Sequence, residues 1–332
     1  MPKYWMISNR AINGTPTGER DTLKYFISDK APLDNFKNWT AVSKEKFMIL
    51  LKDAADQFPL LEHPENEDQK HVSFFIHGYN NGWDEAARRY QKLCKDLYAG
   101  PDGLGLCISF DWPSLGSVLG YLPDREHARE TADDLVNVFS DLYDWLLQKQ
   151  AVANTNPCKA KISVISHSMG NYVVQKALAL AWTRKNQPLL VSLINQLVMV
   201  AADVDNDLFE TNSSDGSDGD AIANLTYRIT ALYSGRDAVL GASAGLKHFG
   251  TRRLGRSGLA VRPPTDKDNI WDIDCSGFFP DSVGGMDIHS AYFGSGKTML
   301  LMRDILRGID RSVLEAQGQT KGTAWSATAV KK

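Results

Sequence analysis

Apolar residues recur along this chain in two rhythms that alternate from about residue 70 onward. Short continuous apolar runs predict buried strands, and longer stretches with apolar residues three and four apart predict amphipathic helices. His71 to Ile76 (HVSFFI) is a strand that stops at His77-Gly78, and Asp84 to Tyr98 is the helix after it. Leu104 to Phe110 is a second strand. Glu126 to Gln148 is a long helix, with Ala132, Leu135, Val136, Phe139, Leu142 and Leu146 on one stripe. Lys161 to Ile165, Leu193 to Ala201, Arg228 to Tyr233 and Asn269 to Ile273 continue the strands. Helices are predicted over Asn171 to Trp182 and Lys297 to Ile309. Such alternation argues for an α/β fold, a mostly parallel central sheet with helices on both faces.

The remaining segments look peripheral. Residues 1–70 predict a short strand near Tyr4 to Ile7 and a helix near Lys44 to Gln57, an N-terminal extension packed on a catalytic domain of residues 71–314. Thr211 to Asp220 (TNSSDGSDGD) reads as a polar loop, and residues 315–332 as a polar tail. No internal repeat is visible, and no Pro/Gly linker is long enough to separate two domains.

Composition narrows the function classes. Of 332 residues 43% are hydrophobic and 23% charged, which suits a packed globular chain and not a disordered one. A net charge of -3 argues against a protein built to coat nucleic acid. Cys94, Cys107, Cys158 and Cys275 form neither a disulfide framework nor a CxxC metal pair. The first ten residues show no signal-peptide core, and Leu189 to Ala202 is too short and polar to span a bilayer. The expectation is a soluble, cytoplasmic protein that needs no metal or organic cofactor.

Ser166 to Gly170, reading S-H-S-M-G, carries the chemistry. It lies between the strand KISVI and a predicted helix, the context of a nucleophile elbow. A turn that sharp needs small residues two before and two after the nucleophile, and Ser166 and Gly170 supply them. Ser168 would then stand in a strained conformation with its hydroxyl presented at the strand's end. The N–H of Met169, at the helix N-terminus, would face a developing oxyanion. The elbow opens a block that runs to Asn171 (S-H-S-M-G-N), and two further blocks accompany it. They are F-I-H-G-Y-N-N at Phe75 to Asn81, and D-W-P-S-x-G-S-V-L-G-Y at Asp111 to Tyr121 followed by Asp124 to Ala128.

With these blocks the chain resembles the α/β-hydrolase superfamily. Within it, the chain is similar to a group of largely uncharacterised bacterial serine hydrolases, over roughly residues 70–310. Ser166 replaces the usual glycine of the elbow and is small enough to serve. The resemblance implies the fold and a serine hydrolase mechanism, without a substrate. It implies a second oxyanion donor from the loop after the earlier strand, which assigns the N–H of Tyr79. It also implies the chain order serine, acid, histidine. His248 and His289 both follow Ser168, and His289, after the last strand, is in the base position. Asp237, after the strand RITALY, is the favoured acid, and Asp203 or Asp205 after the earlier strand is the alternative.

The expected reaction is hydrolysis of a small-molecule carboxylic ester or acyl substrate through an acyl-enzyme on Ser168. Thioesterase, amidase and acyltransferase chemistry use the same groups, and a non-catalytic binding module is the contrasting class. Gly294 to Thr298 (GSGKT) imitates a phosphate-binding loop, but Ala291 stands where that pattern needs glycine. Trp83, Trp112, Tyr79 and Tyr121 are either core or the lining of an acyl pocket. Arg252, Arg253, Arg256 and Arg262 form a basic loop that is either solvated or faces an anionic substrate.

Overall fold

The continuous apolar runs become strands buried on both faces: all six residues of HVSFFI are inaccessible to solvent. The computed structural model describes residues 1–59, 70–79, 81–114, 121–151, 160–185, 192–247, 250–262, 264 and 266–318. The chain divides into two units, Met1–Val164 and Ile165–Lys332.

The first unit contains β1 (Tyr4–Asn13), β2 (Thr15–Ser28), β3 (Thr40–Val42), α1 (Lys44–Asp56), β4 (His71–Ile76), α2 (Trp83–Leu93), β5 (Gly105–Asp111) and α3 (Tyr121–Ala151). It ends within β6 (Lys161–His167). Its strand order is β3-β2-β1-β5-β4-β6. β1 pairs antiparallel with β2 and parallel with β5, with Trp5 opposite Ile108. Residues before 70 therefore supply three strands to this sheet. β1 runs well beyond the apolar Tyr4–Ile7 because its next residues, Ser8, Asn9 and Arg10, are polar yet buried. Periodicity misses such a strand, since its inward side chains are paired instead of apolar. Asn9 Nδ2 donates to Thr131 Oγ1 at 3.1 Å and to Asp134 Oδ2 at 2.8 Å. Trp5 meets Phe47 of α1 edge to face at 5.3 Å, which docks the helix on the sheet.

The second unit starts in β6. It continues with α4 (Gly170–Lys185), β7 (Ile194–Val200), α5 (Gly216–Leu225), β8 (Thr226–Tyr233), α6 (Ala238–Ala242), α7 (Leu254–Ser257) and β9 (Ile270–Asp274). It closes with α8 (Gly285–Ala291), α9 (Gly296–Leu306) and α10 (Arg311–Ala316). Its strand order is β6-β7-β8-β9, and β7–β8 and β8–β9 are parallel, as the strand–helix alternation predicts. Parallel strands put their C-terminal ends on one edge, so the loops after β6, β7 and β8 are neighbours. The stretch expected as a polar loop at Thr211 to Asp220 is partly helical. Its acids are anchored, because Gln175 Nε2 donates to Asp215 and Asp218 at 3.0 Å and Lys176 Nζ reaches Asp218 at 2.6 Å. The expected polar tail begins inside α10, and residues 319–332 lie outside the described residues.

Candidate active site

β6 ends in a left-handed turn. Ser168 has φ 53°, a region costly for a residue with a Cβ, at roughly 1–3 kcal/mol. Its surroundings fix that conformation. Ser168 N donates to Val200 O at 3.0 Å, and Ser168 O accepts from Asn171 N and Asp203 N at 3.1 Å each. Asn171 acts as a staple: its Nδ2 donates to Ser166 O and Ser168 O at 3.1 Å, while Ser166 Oγ donates to Asn171 Oδ1 at 2.6 Å. Buried hydrogen bonds contribute about 0.5–1.5 kcal/mol each, so this set offsets the strain. Ser166 is fully buried under the turn. Met169 is buried, and its amide stands immediately before α4, where N–H groups have no intrahelical acceptor.

The neighbouring strand repeats the device. Ala201, just past β7, has φ 44°, and its N–H donates to Leu232 O at 3.0 Å. Gly255 packs against it so closely that a Cβ there would lie 2.1 Å from Ala201 C and Ala202 N.

The structure brings Asp237 and His289 together. Asp237 follows β8 and caps α6, its Oδ1 accepting from Leu240 N at 3.0 Å. Its Oδ2 lies 2.8 Å from His289 Nδ1. A carboxylate only accepts, so Nδ1 carries the proton and Nε2 of the neutral ring keeps a lone pair. Asp237 is fully buried, whereas His289 is 9% exposed, so the pair has one dry end and one open end. His289 sits after the last strand, β9, on the short helix α8. Its ring lies 4.9 Å, centroid to centroid, from that of His167, the residue before Ser168. Arg236 ties the two loops together. Its guanidinium donates to Phe279 O at 3.0 Å, to Pro280 O and Val283 O at 3.1 Å, and to Ser276 O at 3.3 Å. Arg236 is marked in the sequence only by preceding Asp237, whereas Asn171 closes the S-H-S-M-G-N block of the resemblance.

The alternative acids are occupied otherwise. Asp203 Oδ1 accepts from Arg253 Nε and Ser243 Oγ, both at 2.9 Å, and Arg253 also pairs with Asp205. Arg253 is itself fully buried. Arg256 donates to the backbone oxygen of Asp237, and Arg262 pairs with Asp272 at 2.7 Å. Three of the four arginines in the basic loop therefore hold the fold, and only Arg252 of the four is exposed. His248, the other candidate base, lies outside the described residues. The GSGKT segment follows α8 with no strand before it and opens α9, and Thr298 turns its buried hydroxyl onto Ser295 O at 3.0 Å. A cleft of about 810 Å³ beside β9, lined by Arg228, Lys267, Trp271 and Arg311, contains none of the three triad candidates.

In the first unit, the loop after β4 is built on a buried ion pair. Arg10 Nε lies 2.9 Å from Asp111 Oδ1, and Arg10 Nη2 donates to Asn81 O at 3.1 Å. Asn81 Nδ2 in turn donates to Gly78 O at 2.9 Å and Tyr79 O at 3.2 Å. Burial pushes the Asp111 carboxyl up, but the Arg10 charge and hydrogen bonds from His77 and Ser8 outweigh it and hold the group below the ordinary carboxylate range. Trp112 stacks on His77 at 5.4 Å and donates Nε1–H to His77 O at 2.8 Å. Trp83 packs against Phe36 and Trp39. Both tryptophans are core residues of this unit. Tyr79, with its ring edge-on to Tyr121 at 5.4 Å, belongs to this unit. Burial pushes its phenol up to about 12. Asn80 and residues 115–120 of the second block lie outside the described residues.

Among the described residues, no group of three or more His, Cys, Asp or Glu side chains is placed to hold a metal ion, and no helix is long and apolar enough to cross a membrane.

A family model described as "Alpha/beta hydrolase of unknown function (DUF900)" matches residues 52–295. An uncharacterized protein of Nostoc sp. (strain PCC 7120) is 30% identical over 129 residues, covering 32% of this chain and 31% of that protein. Aspergillus fumigatus lipase B is similar in structure with a TM-score of 0.39 and 13% identity, over 88% of this chain and 64% of that one. A Pyrococcus horikoshii acylaminoacyl peptidase gives a TM-score of 0.31 and 12% identity, over 86% and 46%. The chain thus spans less than two thirds of each of these proteins, and at such TM-scores the two structures carry no argument about chemistry.

Proposed function

The chain belongs to this α/β-hydrolase family of unknown function, and on that premise we propose that it is a serine hydrolase that cleaves carboxylic esters through an acyl-enzyme on Ser168. The observation that carries the reading is the buried 2.8 Å contact between Asp237 and His289, taken with an elbow serine in the left-handed conformation. Asp237 holds the proton on His289 Nδ1, which leaves Nε2 as the base. Ser168 Oγ attacks the carbonyl carbon as Nε2 takes its proton, and Asp237 stabilises the imidazolium that forms. The Met169 amide donates to the oxyanion, worth about 10²–10³ in rate for a donor of this kind. The imidazolium then protonates the leaving group, and water, deprotonated by the same nitrogen, hydrolyses the acyl-enzyme.

The test is a panel of p-nitrophenyl esters of increasing acyl length, alongside a thioester and an anilide of the same acyl group. Turnover of the esters ahead of the other two, abolished in Ser168→Ala, is the expected result. Thioester or anilide preference with the same Ser168 dependence would keep the mechanism and move the substrate class. Ester turnover that survives in Ser168→Ala would overturn the mechanism.

A further inference from the structure

The mechanism uses His289 but leaves open what fixes its backbone. α8 is only seven residues long and ends at Ala291, with His289 in its last turn. The final carbonyls of a helix have no intrahelical partner and need one from elsewhere. Just after His289 the bonds reach three residues back, Phe293 N donating to Ser290 O at 3.3 Å and Gly294 N to Ala291 O at 2.9 Å, before Ser295 N donates four residues back to Ala291 O at 3.0 Å. The carbonyl of His289 is met from outside the helix, by His167 Nε2 at 2.8 Å. A carbonyl only accepts, so this nitrogen of His167 carries a proton.

His167 is suited to that task by position. It is the last residue of β6 and is 1% exposed. Its ring lies 4.9 Å from the His289 ring and meets the Phe293 ring edge-on at 5.2 Å. One side chain thus contacts His289 and, just past the end of α8, Phe293, and its own backbone leads directly into Ser168.

We propose that His167 is a positioning residue for the triad: its Nε2–H caps the carbonyl of His289 and fixes the distance between the base and the Ser168 elbow. The inference rests on the serine hydrolase reading above. It assigns a role to the second residue of the S-H-S-M-G block that a nucleophile elbow does not itself require. A misplacement of about 1 Å in a reacting group costs on the order of 100-fold in rate, which sets the scale of the effect.

The experiment measures the second-order rate of labelling by a fluorophosphonate, which needs no knowledge of the substrate, together with kcat and KM on whichever p-nitrophenyl ester is turned over. The variants are His167→Leu, which removes the donor, His167→Gln, whose amide nitrogen reaches about as far as Nε2, and His167→Asn, whose amide falls short. Rates are compared per folded molecule, well below each variant's melting temperature. The expected result is a loss of about 10- to 100-fold in labelling rate and kcat for Leu and Asn, with KM little changed, and recovery to within about threefold of wild type for Gln. If His167→Leu fails to fold, Asn and Gln carry the comparison. Wild-type labelling rates in folded Leu or Asn, or a Gln variant as slow as Asn, would overturn the proposal while leaving the serine hydrolase reading intact. Labelling of Ser168→Ala at the wild-type rate would instead remove that reading, and the positioning role with it.

Discussion

Asp237→Asn separates the two oxygens of one carboxylate. Oδ1 caps α6 through Leu240 N at 3.0 Å, and Oδ2 faces His289 Nδ1 at 2.8 Å. Asparagine has one oxygen and one NH₂ to fill the two places. With its oxygen toward Leu240 the cap survives, since asparagine is as good an N-cap as aspartate. Its NH₂ then faces Nδ1, which must accept, and the ring proton moves to Nε2, where the base was needed. The opposite rotamer keeps the correct tautomer but loses the cap, at about 1 kcal/mol, and so is the minor one. In both, the negative charge that stabilises the imidazolium is gone. A loss of about 10⁴ in kcat is expected, or roughly 5 kcal/mol in barrier height. Fold stability should hardly move, because the cap and the backbone contacts remain. The assay is ester turnover and fluorophosphonate labelling, with a urea melt on the same samples. Activity within tenfold of wild type in a folded Asp237→Asn protein would refute the reasoning; if Asp203→Asn were then the inactive variant, the acid would lie after β7.

Two further perturbations test the scaffold. Asp203→Asn leaves the fully buried Arg253 guanidinium without the more buried of its two carboxylate partners; stability should fall by about 3 kcal/mol, read from the urea midpoint, and a loss below about 1 kcal/mol would contradict the role given to the pair. His71, buried in β4 with Nδ1 2.8 Å from Ser163 Oγ, is pushed down from 6.5 to about 3, by burial first and then by the Lys161 and Lys70 charges. A depressed folded value means the stabilising difference is complete above about 6.5. It is then lost as pH falls toward 3, because the unfolded chain takes up a proton that the folded one refuses. The slope is about 1.4 kcal/mol per pH unit in that window, and it should flatten in His71→Gln; parallel stability profiles for the two proteins would contradict this.

The parts of this molecule that were legible in its sequence are those with a local signal. HVSFFI forms the strand its apolar run predicts, and the small residues of S-H-S-M-G allow a turn whose serine does adopt positive φ. The β1–β2 hairpin was under-read because Ser8, Asn9 and Arg10 spend their polarity on Asp111, Thr131 and Asp134, more than a hundred residues away. Periodicity cannot see a partner at that distance. The basic loop misled for the same reason. Arg253 and Arg262 look free in sequence and are paired with Asp203 and Asp272 in space. Asp237, Asp203 and Asp205 each follow a strand in the chain, and only their three-dimensional partners set them apart. His167 and Arg236 act through backbone carbonyls, which no residue-type pattern records.

The most direct test of the central claim is to locate the adduct. Wild-type protein is treated with a fluorophosphonate, digested, and the modified residue identified by mass spectrometry. The account predicts a single stoichiometric adduct on Ser168, absent from Ser168→Ala and formed far more slowly in Asp237→Asn. An unlabelled wild-type protein that is demonstrably folded, or an adduct on any other residue, would contradict it.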